Sequence, residues 1–504
     1  MRHPAIARSV PANSRRNDAA RENGAVAPRT ILVLSACALF AVVAAGFAFT
    51  LDVSPDEGFY AQAARRAAAG LVPYRDFGYS QGPVVPYLNG AAMTLTGFGL
   101  LPQRLLGVAQ GVLQMALLML LAARLGDLLA GRAAAAVLIL SLLWVQNLTF
   151  GNTYALGGLF VALAALAFAS IEAPRPRLAV TLACGVLAAG CRLSLAPFGA
   201  ILALALVLKE PRERRPAVLG LALALGTAFS LAVFGPFLLA DAEATVFWTV
   251  RFHLATVFER RGAPSLVEAF ALAPAAVLAG AAALAVWRRS RALDPGAQAA
   301  RALFLASLVT AAANLAVRAP YGGYVTPVVG VLAVSATRLV LGALPASRGL
   351  AAAALVLAAA AGAALYRPAL RPGALDDVER AAAFVRAHTR PDAPVACTLP
   401  EVALEAGREV LPGLEMGKFG FTEEMTPERA ARLGFAHATV LEAALRTRSV
   451  GAVVLSQRMI WNFAWSAPSI RPTSKETLAR LRAALDAGWR VAYADATVVV
   501  LLPR

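Results

Sequence analysis

The feature that most constrains this chain is a succession of apolar runs, each near the length of a bilayer crossing, joined by short Arg-rich loops. A helix needs about 20 apolar residues to cross a hydrocarbon core of roughly 30 Å, because only there does every backbone group find a partner away from water. Such runs occupy residues 30–51, 101–123, 133–150, 154–171, 178–191, 194–208, 217–239, 266–287, 302–317, 324–342 and 349–365. They predict a polytopic α-helical membrane protein with about eleven transmembrane helices. Composition agrees. Only 15% of residues are charged and mean hydropathy is +0.64, where a soluble chain carries about a quarter charged.

The loops orient the chain. Arg124 and Arg132, and the loops EAPRPR, KEPRERRP, RRSRALDPGAQAAR and PASR, fall on one side if residues 84–100 form an interfacial helix and not a span. This predicts a disordered basic cytoplasmic tail over 1–29, an uncleaved first span and an outer C-terminus. The net charge of +17 is then a signature of topology. No basic patch with interleaved aromatics stands apart from the spans, which argues against nucleic acid as a partner. The four cysteines, Cys37, Cys184, Cys191 and Cys397, lie mostly in apolar runs and imply no disulfide framework. The membrane region is expected over 30–365. From 366 to 504 the chain turns mixed in character, with helical spacing over 376–388 and 477–487. Strand runs lie at 393–398 and 450–456, and a strand pair over 489–502 is broken at Ala494-Asp495. That predicts a small C-terminal α/β domain outside the membrane.

The loop after the first span, 52–100, is where chemistry concentrates. Between Asp52 and Tyr87 it holds three Asp, one Glu and three Arg, a density no bilayer core tolerates. Asp56-Glu57 at the membrane exit is the leading candidate pair. A partly desolvated carboxylate there can take a proton from an acceptor hydroxyl or amine, one residue acting as base and the other supporting it. A helical run through Tyr60, Arg65 and Arg66 follows, then Tyr74-Arg75-Asp76 and Gln81-Gly82-Pro83. At the same outer level lie Arg104, Asn152 and Tyr154, Arg192, Arg251 and His253, and Arg318 with Tyr321 and Tyr324. Outer arginines run against the positive-inside bias, and a phosphate or phosphodiester is a partner they bind bidentately. Arg192, flanked by apolar sequence, is the most expensive of these charges and so the strongest functional candidate. Solvated loops, interfacial anchors and ion pairs are the structural readings of the others.

No GxxxxGK[ST], GxSxG, HExxH or CxxC occurs, and four histidines leave little room for a His-based site. Asp56-Glu57-Gly58-x-Tyr60, the Gly70-to-Asp76 G-x-x-P-Y-x-D run, Gly82-Pro83, Tyr87 and Arg104 together resemble the GT-C glycosyltransferases. Within these, the resemblance is to the family 39-like enzymes, the neighbourhood of protein O-mannosyltransferases and lipid A aminoarabinose transferases. The resemblance covers 30 to about 370. It implies a sugar donor on a polyprenyl phosphate and transfer with inversion on the periplasmic or extracellular side of an inner or plasma membrane. The acceptor would be a glycan, a lipid or a protein, and Asp56 would match the acidic catalytic residue. No cofactor is implied with certainty; some superfamily members use a divalent metal, for which Asp56 and Glu57 would be the ligands. One departure stands out. Gln81-Gly82-Pro83 replaces the Lys-Pro-Pro of the lipid A-modifying relatives, which leaves the sugar open. A transporter or flippase of lipid-linked substrates is the competing class, and a non-catalytic scaffold is a third.

Overall fold

The computed structural model describes residues 12–54, 56–255, 278, 280–283, 294–315, 322–457 and 462–504. The chain opens with α1 (Ala12–Thr50), whose helical backbone begins well before the apolar run. The expected disorder over 1–29 thus gives way to helix from Ala12, continuous with a helix already nucleated by the span. The outer loop folds as two short helices, α2 (Glu57–Ala68) and α3 (Val84–Thr96). At 13 residues α3 is too short to cross a bilayer, in keeping with an interfacial helix. The membrane region continues through α4 (Leu100–Arg124), α5 (Leu128–Leu140), α6 (Leu142–Thr149), α7 (Thr153–Ser170), α8 (Pro174–Cys191), α9 (Ala196–Lys209), α10 (Arg215–Val246) and α11 (Phe252–Ala255). After residues outside the described set come α12 (Pro295–Leu315), α13 (Thr326–Ala343) and α14 (Arg348–Leu365).

Among the described residues, seven helices are long and apolar enough to cross a membrane, or eight if α5 and α6, bent by 69° at Ser141, make one broken span. Of the eleven spans expected, 178–191 and 194–208 appear as α8 and α9, which fall short in length or hydropathy, and 266–287 lies largely outside the described residues. α10 breaks where it leaves the apolar zone. Pro236 lacks a backbone N–H, and Asp241 takes extended φ/ψ of −158° and 99°. Asp241 Oδ1 then accepts from Ala244 N at 2.9 Å, capping a new turn that carries Trp248 and Phe252 outward.

The tail contains α15 (Ala374–His388), α16 (Pro400–Glu405), α17 (Pro427–Arg432), α18 (Ala438–Thr447) and α19 (Lys475–Gly488). Its main sheet has the order β1-β4-β8-β7, built from β1 (Val395–Cys397), β4 (Ala452–Ser456), β7 (Trp489–Ala494) and β8 (Val498–Pro503). β1 runs parallel to β4 in the register Val395↔Ala452; β8 is antiparallel to both β4 and β7. Small pairs β2 (Phe421–Thr422) with β3 (Ala436–His437), and β5 (Trp465–Ser466) with β6 (Arg471–Pro472), flank it. β4 is apolar on both faces because the sheet's core closes over it.

Tail and membrane region are joined at several places. Leu51 pairs with Leu370, and Asp52 N donates to Ala369 O at 2.7 Å, so the exit of the first span and the exit of α14 form one corner. An aromatic cluster joins Phe59, Tyr60 and Tyr79 of the outer loop to Phe247 and Trp248 after α10 and to Phe435 of the tail. Trp248 stacks on Phe435 with centroids 4.6 Å apart and its Nε1 donates to Leu433 O at 2.8 Å. The basic-loop orientation puts Glu213 inside and Lys475 outside, both exposed. A membrane-impermeant maleimide added to intact cells is expected to label Lys475→Cys and to spare Glu213→Cys; labelling of both would overturn the scheme.

Candidate active site

Two adjacent carboxylates begin α2, and the fold gives them different surroundings. Glu57, in the first turn, is 1% exposed and meets Arg104 at 0% exposed. Arg104 Nε donates to Glu57 Oε2 at 2.6 Å and Nη2 to Oε1 at 2.9 Å, a bidentate pair. The remaining donors go to main-chain oxygens: Ala48 at 3.0 Å, Leu51 at 3.1 Å and Asp52 at 3.1 Å. Ala48 O is among the carbonyls a helix C-terminus leaves unsatisfied, and the other two lie just past the end of α1. Arg104 thus holds the corner between α1 and α2, and its donors face protein and not a ligand, unlike the phosphate contact expected from its position. Glu57 Oε1 also accepts from Ser54 N at 2.7 Å.

Asp56, half-buried at the N-cap of α2, makes no side-chain capping bond. Its carboxylate is therefore not consumed by the helix it opens, while the helix N-terminus still favours negative charge. Burial pushes the Asp56 carboxyl above its usual range, and two cations, Lys418 and Arg192, pull it back. Arg192 ends α8, 9% exposed, between two aromatic rings: its guanidinium carbon is 4.2 Å from the Tyr324 centroid and 5.3 Å from that of Tyr154. Cation–π contact retains the charge without a carboxylate lying against it. Arg192 Nε donates to Ser194 Oγ at 3.2 Å, and that hydroxyl donates to Asn314 Oδ1 at 2.6 Å. Tyr60, on the next turn from Asp56, is buried, and burial with the Asp56 charge raises its pKa, so the phenol stays protonated.

Most of the other expected residues are engaged with other protein groups. Arg65 pairs with Glu409 at 2.9 Å, and Arg66 reaches Glu409 and Glu415 at 3.3 Å each, so both tie α2 to the tail. Arg75 and Asp76 bind one another, with Asp76 Oδ2 also accepting from Val72 N at 2.7 Å. Buried Tyr74 donates its hydroxyl to Gln81 O at 2.5 Å. Asn152 caps α7 by accepting from Tyr154 N at 2.9 Å. Arg251 is exposed, and His253 Nε2 lies 2.5 Å from Ser80 O, which makes that nitrogen the protonated one. Arg318 and Tyr321 lie outside the described residues.

Among the described residues no group of three or more His, Cys, Asp or Glu is arranged to hold a metal ion. Glu57's oxygens are occupied and two cations face Asp56, so this pair does not fit a divalent ion. Lys418 and Glu401 are the tail residues that reading the sequence missed; no local pattern points from the tail to a loop formed hundreds of residues earlier. Glu401 is 3% exposed, with Oε2 lacking any hydrogen-bond partner. It presses on Gly58, where a Cβ would collide with that oxygen and lie 2.6 Å from Glu401 N, so only glycine admits the approach.

Two outcomes follow from these contacts. Glu57→Gln leaves Arg104 buried without its charge partner and is expected to cost about 3–5 kcal/mol of stability. Adding Arg104→Met should recover part of that loss in thermal unfolding of the purified protein. Burial, reinforced by Glu57, pushes the Glu401 carboxyl up to about 8. The folded state therefore keeps a proton that the unfolded chain, with a carboxyl near ~4.3, releases. Stability is expected to fall as pH rises from about 4.3 to 8 and to level off above that. The wild-type unfolding midpoint should show this slope more steeply than Glu401→Gln does; equal slopes would refute the assignment.

No family model and no curated protein sequence matches this chain. Among solved structures, ArnT from Cupriavidus metallidurans bound to undecaprenyl phosphate superposes with a TM-score of 0.62 at 15% identity, over 94% of this chain and 97% of that one. The apo state of ArnT gives 0.63 at 14% identity, over 95% and 98%. ArnT is a lipid A aminoarabinose transferase of the GT-C superfamily. The likeness runs through membrane helices and tail alike, and it shows that this chain shares the fold of ArnT, in line with the resemblance read from the Asp56-Glu57 loop.

Proposed function

We propose that this protein is a membrane glycosyltransferase that moves a sugar from a polyprenyl-phosphate donor to an acceptor hydroxyl or amine on the outer side of the membrane, with inversion. The observation that carries the reading is the meeting of Asp56, a half-buried carboxylate free of capping duty, with the Arg192 cation. In the proposed step the acceptor oxygen or nitrogen attacks the anomeric carbon as the bond from that carbon to the phosphate oxygen breaks. The acceptor proton passes to Asp56, and the electron pair leaves with the polyprenyl phosphate. A raised carboxyl pKa strengthens Asp56 as a base, while Arg192 stabilises charge growing on the leaving phosphate. Glu57 supports the loop through Arg104 and takes no proton.

An apolar cavity of about 500 Å³ between α8, α9 and α10, lined by Leu182, Ala203, Leu219, Leu223 and Leu238, offers room for prenyl units along the helix that ends at Arg192. ArnT, with the same fold, has been captured with undecaprenyl phosphate, which supports a lipid phosphate as the donor carrier. The sugar is left open by this reading. Removing a general base costs roughly 10²–10⁴ in rate. Asp56→Asn is therefore expected to lose detectable transfer from a panel of radiolabelled polyprenyl-phosphate sugars in membranes. It should still bind undecaprenyl phosphate, since cations and not the carboxylate hold the phosphate. Full turnover in Asp56→Asn would remove the mechanism.

A further inference from the structure

Buried polar side chains nearly always find a partner, as Gln62, Tyr74 and Asn89 do in the outer loop. One stretch of the same loop departs from this. Tyr79, Ser80 and Gln81 are 0%, 5% and 9% exposed, yet among the described residues nothing bonds to the Tyr79 hydroxyl, the Ser80 hydroxyl or the Gln81 amide. Their main chain, in contrast, is held firmly. His253 Nε2 lies 2.5 Å from Ser80 O, and the Tyr74 hydroxyl donates to Gln81 O at 2.5 Å. At Gly82 a Cβ would collide with Gly190 O, and at Gly190 one would stand 2.6 Å from Val84 Cγ2 and 2.8 Å from Val233 Cγ1. Two glycines thus let the start of α3, the end of α8 and α10 meet at one crossing. A loose loop is therefore not the reason for the missing partners.

The crossing also fixes where the stretch lies. Gln81 is one residue from the contact between Gly82 and Gly190, and Arg192 is two residues from it. On the other side the Tyr79 ring meets Tyr60, with centroids 6.3 Å apart, and Tyr60 stands one turn after Asp56. The stretch runs between the two helix ends that carry Asp56 and Arg192. An amide offers two N–H donors and a carbonyl acceptor, and a hydroxyl one donor and two lone pairs. Groups of this kind answer sugar hydroxyls, which both donate and accept. Being neutral, they bring no countercharge for an ammonium or a carboxylate. We propose that Ser80 and Gln81 bind hydroxyls of the sugar on the lipid-linked donor, and that this sugar is a neutral one. This rests on the donor assignment under Proposed function and names the class of sugar carried there. A site built this way rejects a sugar that lacks the hydroxyl it reads, because its own buried groups then stay unpaired.

The test is equilibrium binding to the purified protein in nanodiscs. The probes are undecaprenyl phosphate alone, the same lipid carrying mannose, glucose, galactose or arabinose, and its aminoarabinose conjugate. One neutral conjugate is expected to bind the wild type about tenfold or more tighter than the bare lipid. Gln81→Met and Ser80→Ala should each weaken that conjugate about five- to tenfold, the loss of one hydrogen bond, and leave the bare lipid within about twofold. Neither change breaks a side-chain bond within the protein, so both variants should unfold at or above the wild-type temperature. A lowered unfolding temperature with equal losses for bare and sugar-bearing lipid would make the pair structural and overturn the inference. Unchanged affinities in both variants, or no gain from any neutral sugar, would overturn it while the wild type's binding of the bare lipid keeps the donor assignment standing. Tightest binding of the aminoarabinose conjugate would also overturn it. A wild type that binds none of these lipids would sink both.

Discussion

The buried ion pair between Glu57 and Arg104 is the constraint on which the corner between the first span and the loop after it depends. A guanidinium with no exposed surface must have every donor met, and here the partners come from two helices at once. It donates to main-chain carbonyls at the end of α1 and just beyond it, and to both oxygens of the carboxylate that begins α2. Such pairs add little net stability compared with a well-packed apolar substitute, yet tearing one apart is costly. What the pair secures is position. Asp56, one residue earlier, is carried on a fixed corner, with its side chain left out of the local hydrogen-bonding.

A second device keeps Arg192 charged in surroundings that would otherwise expel it. Two tyrosine faces, a serine and, behind it, an asparagine take the place that a carboxylate would occupy in a tight salt bridge. A tight bridge would neutralise the cation. Aromatic and hydroxyl partners orient it and leave its field available to whatever enters beside Asp56. Neutral groups thus hold the Arg192 cation in place.

Much of this was legible in the sequence where the signal was local. The acidic pair stood out because it followed an apolar run, and Arg192 because it interrupted one. In the tail, helices over 374–388 and 475–488 and the strand pair broken after Ala494 follow the periodicity and the polar break. What stayed hidden was contact across long separations. Arg66 meets a partner 343 residues away, and nothing in its helix distinguishes that from an interfacial anchor. Arg104 sits at an outer helix end like a ligand contact, and only the three-dimensional corner reveals that its donors are occupied. The described helices match only part of the span count, for a related reason. Hydropathy alone does not distinguish a full crossing from short apolar helices such as α9, or from the sharp bend at Ser141.

The seam between Leu51 and Leu370 has a consequence for how the protein is made. The outer loop leaves the ribosome early, but its contacts are with Arg104, Arg192, residues 369–371 and finally Glu401, Glu409 and Lys418. Chains emerge from the N-terminus at roughly 5–20 residues per second, so the loop waits through most of translation before its last partners arrive. Until then the Asp56 corner is incomplete. A truncated or stalled chain, though already inserted in the membrane, would lack the contacts that complete this corner.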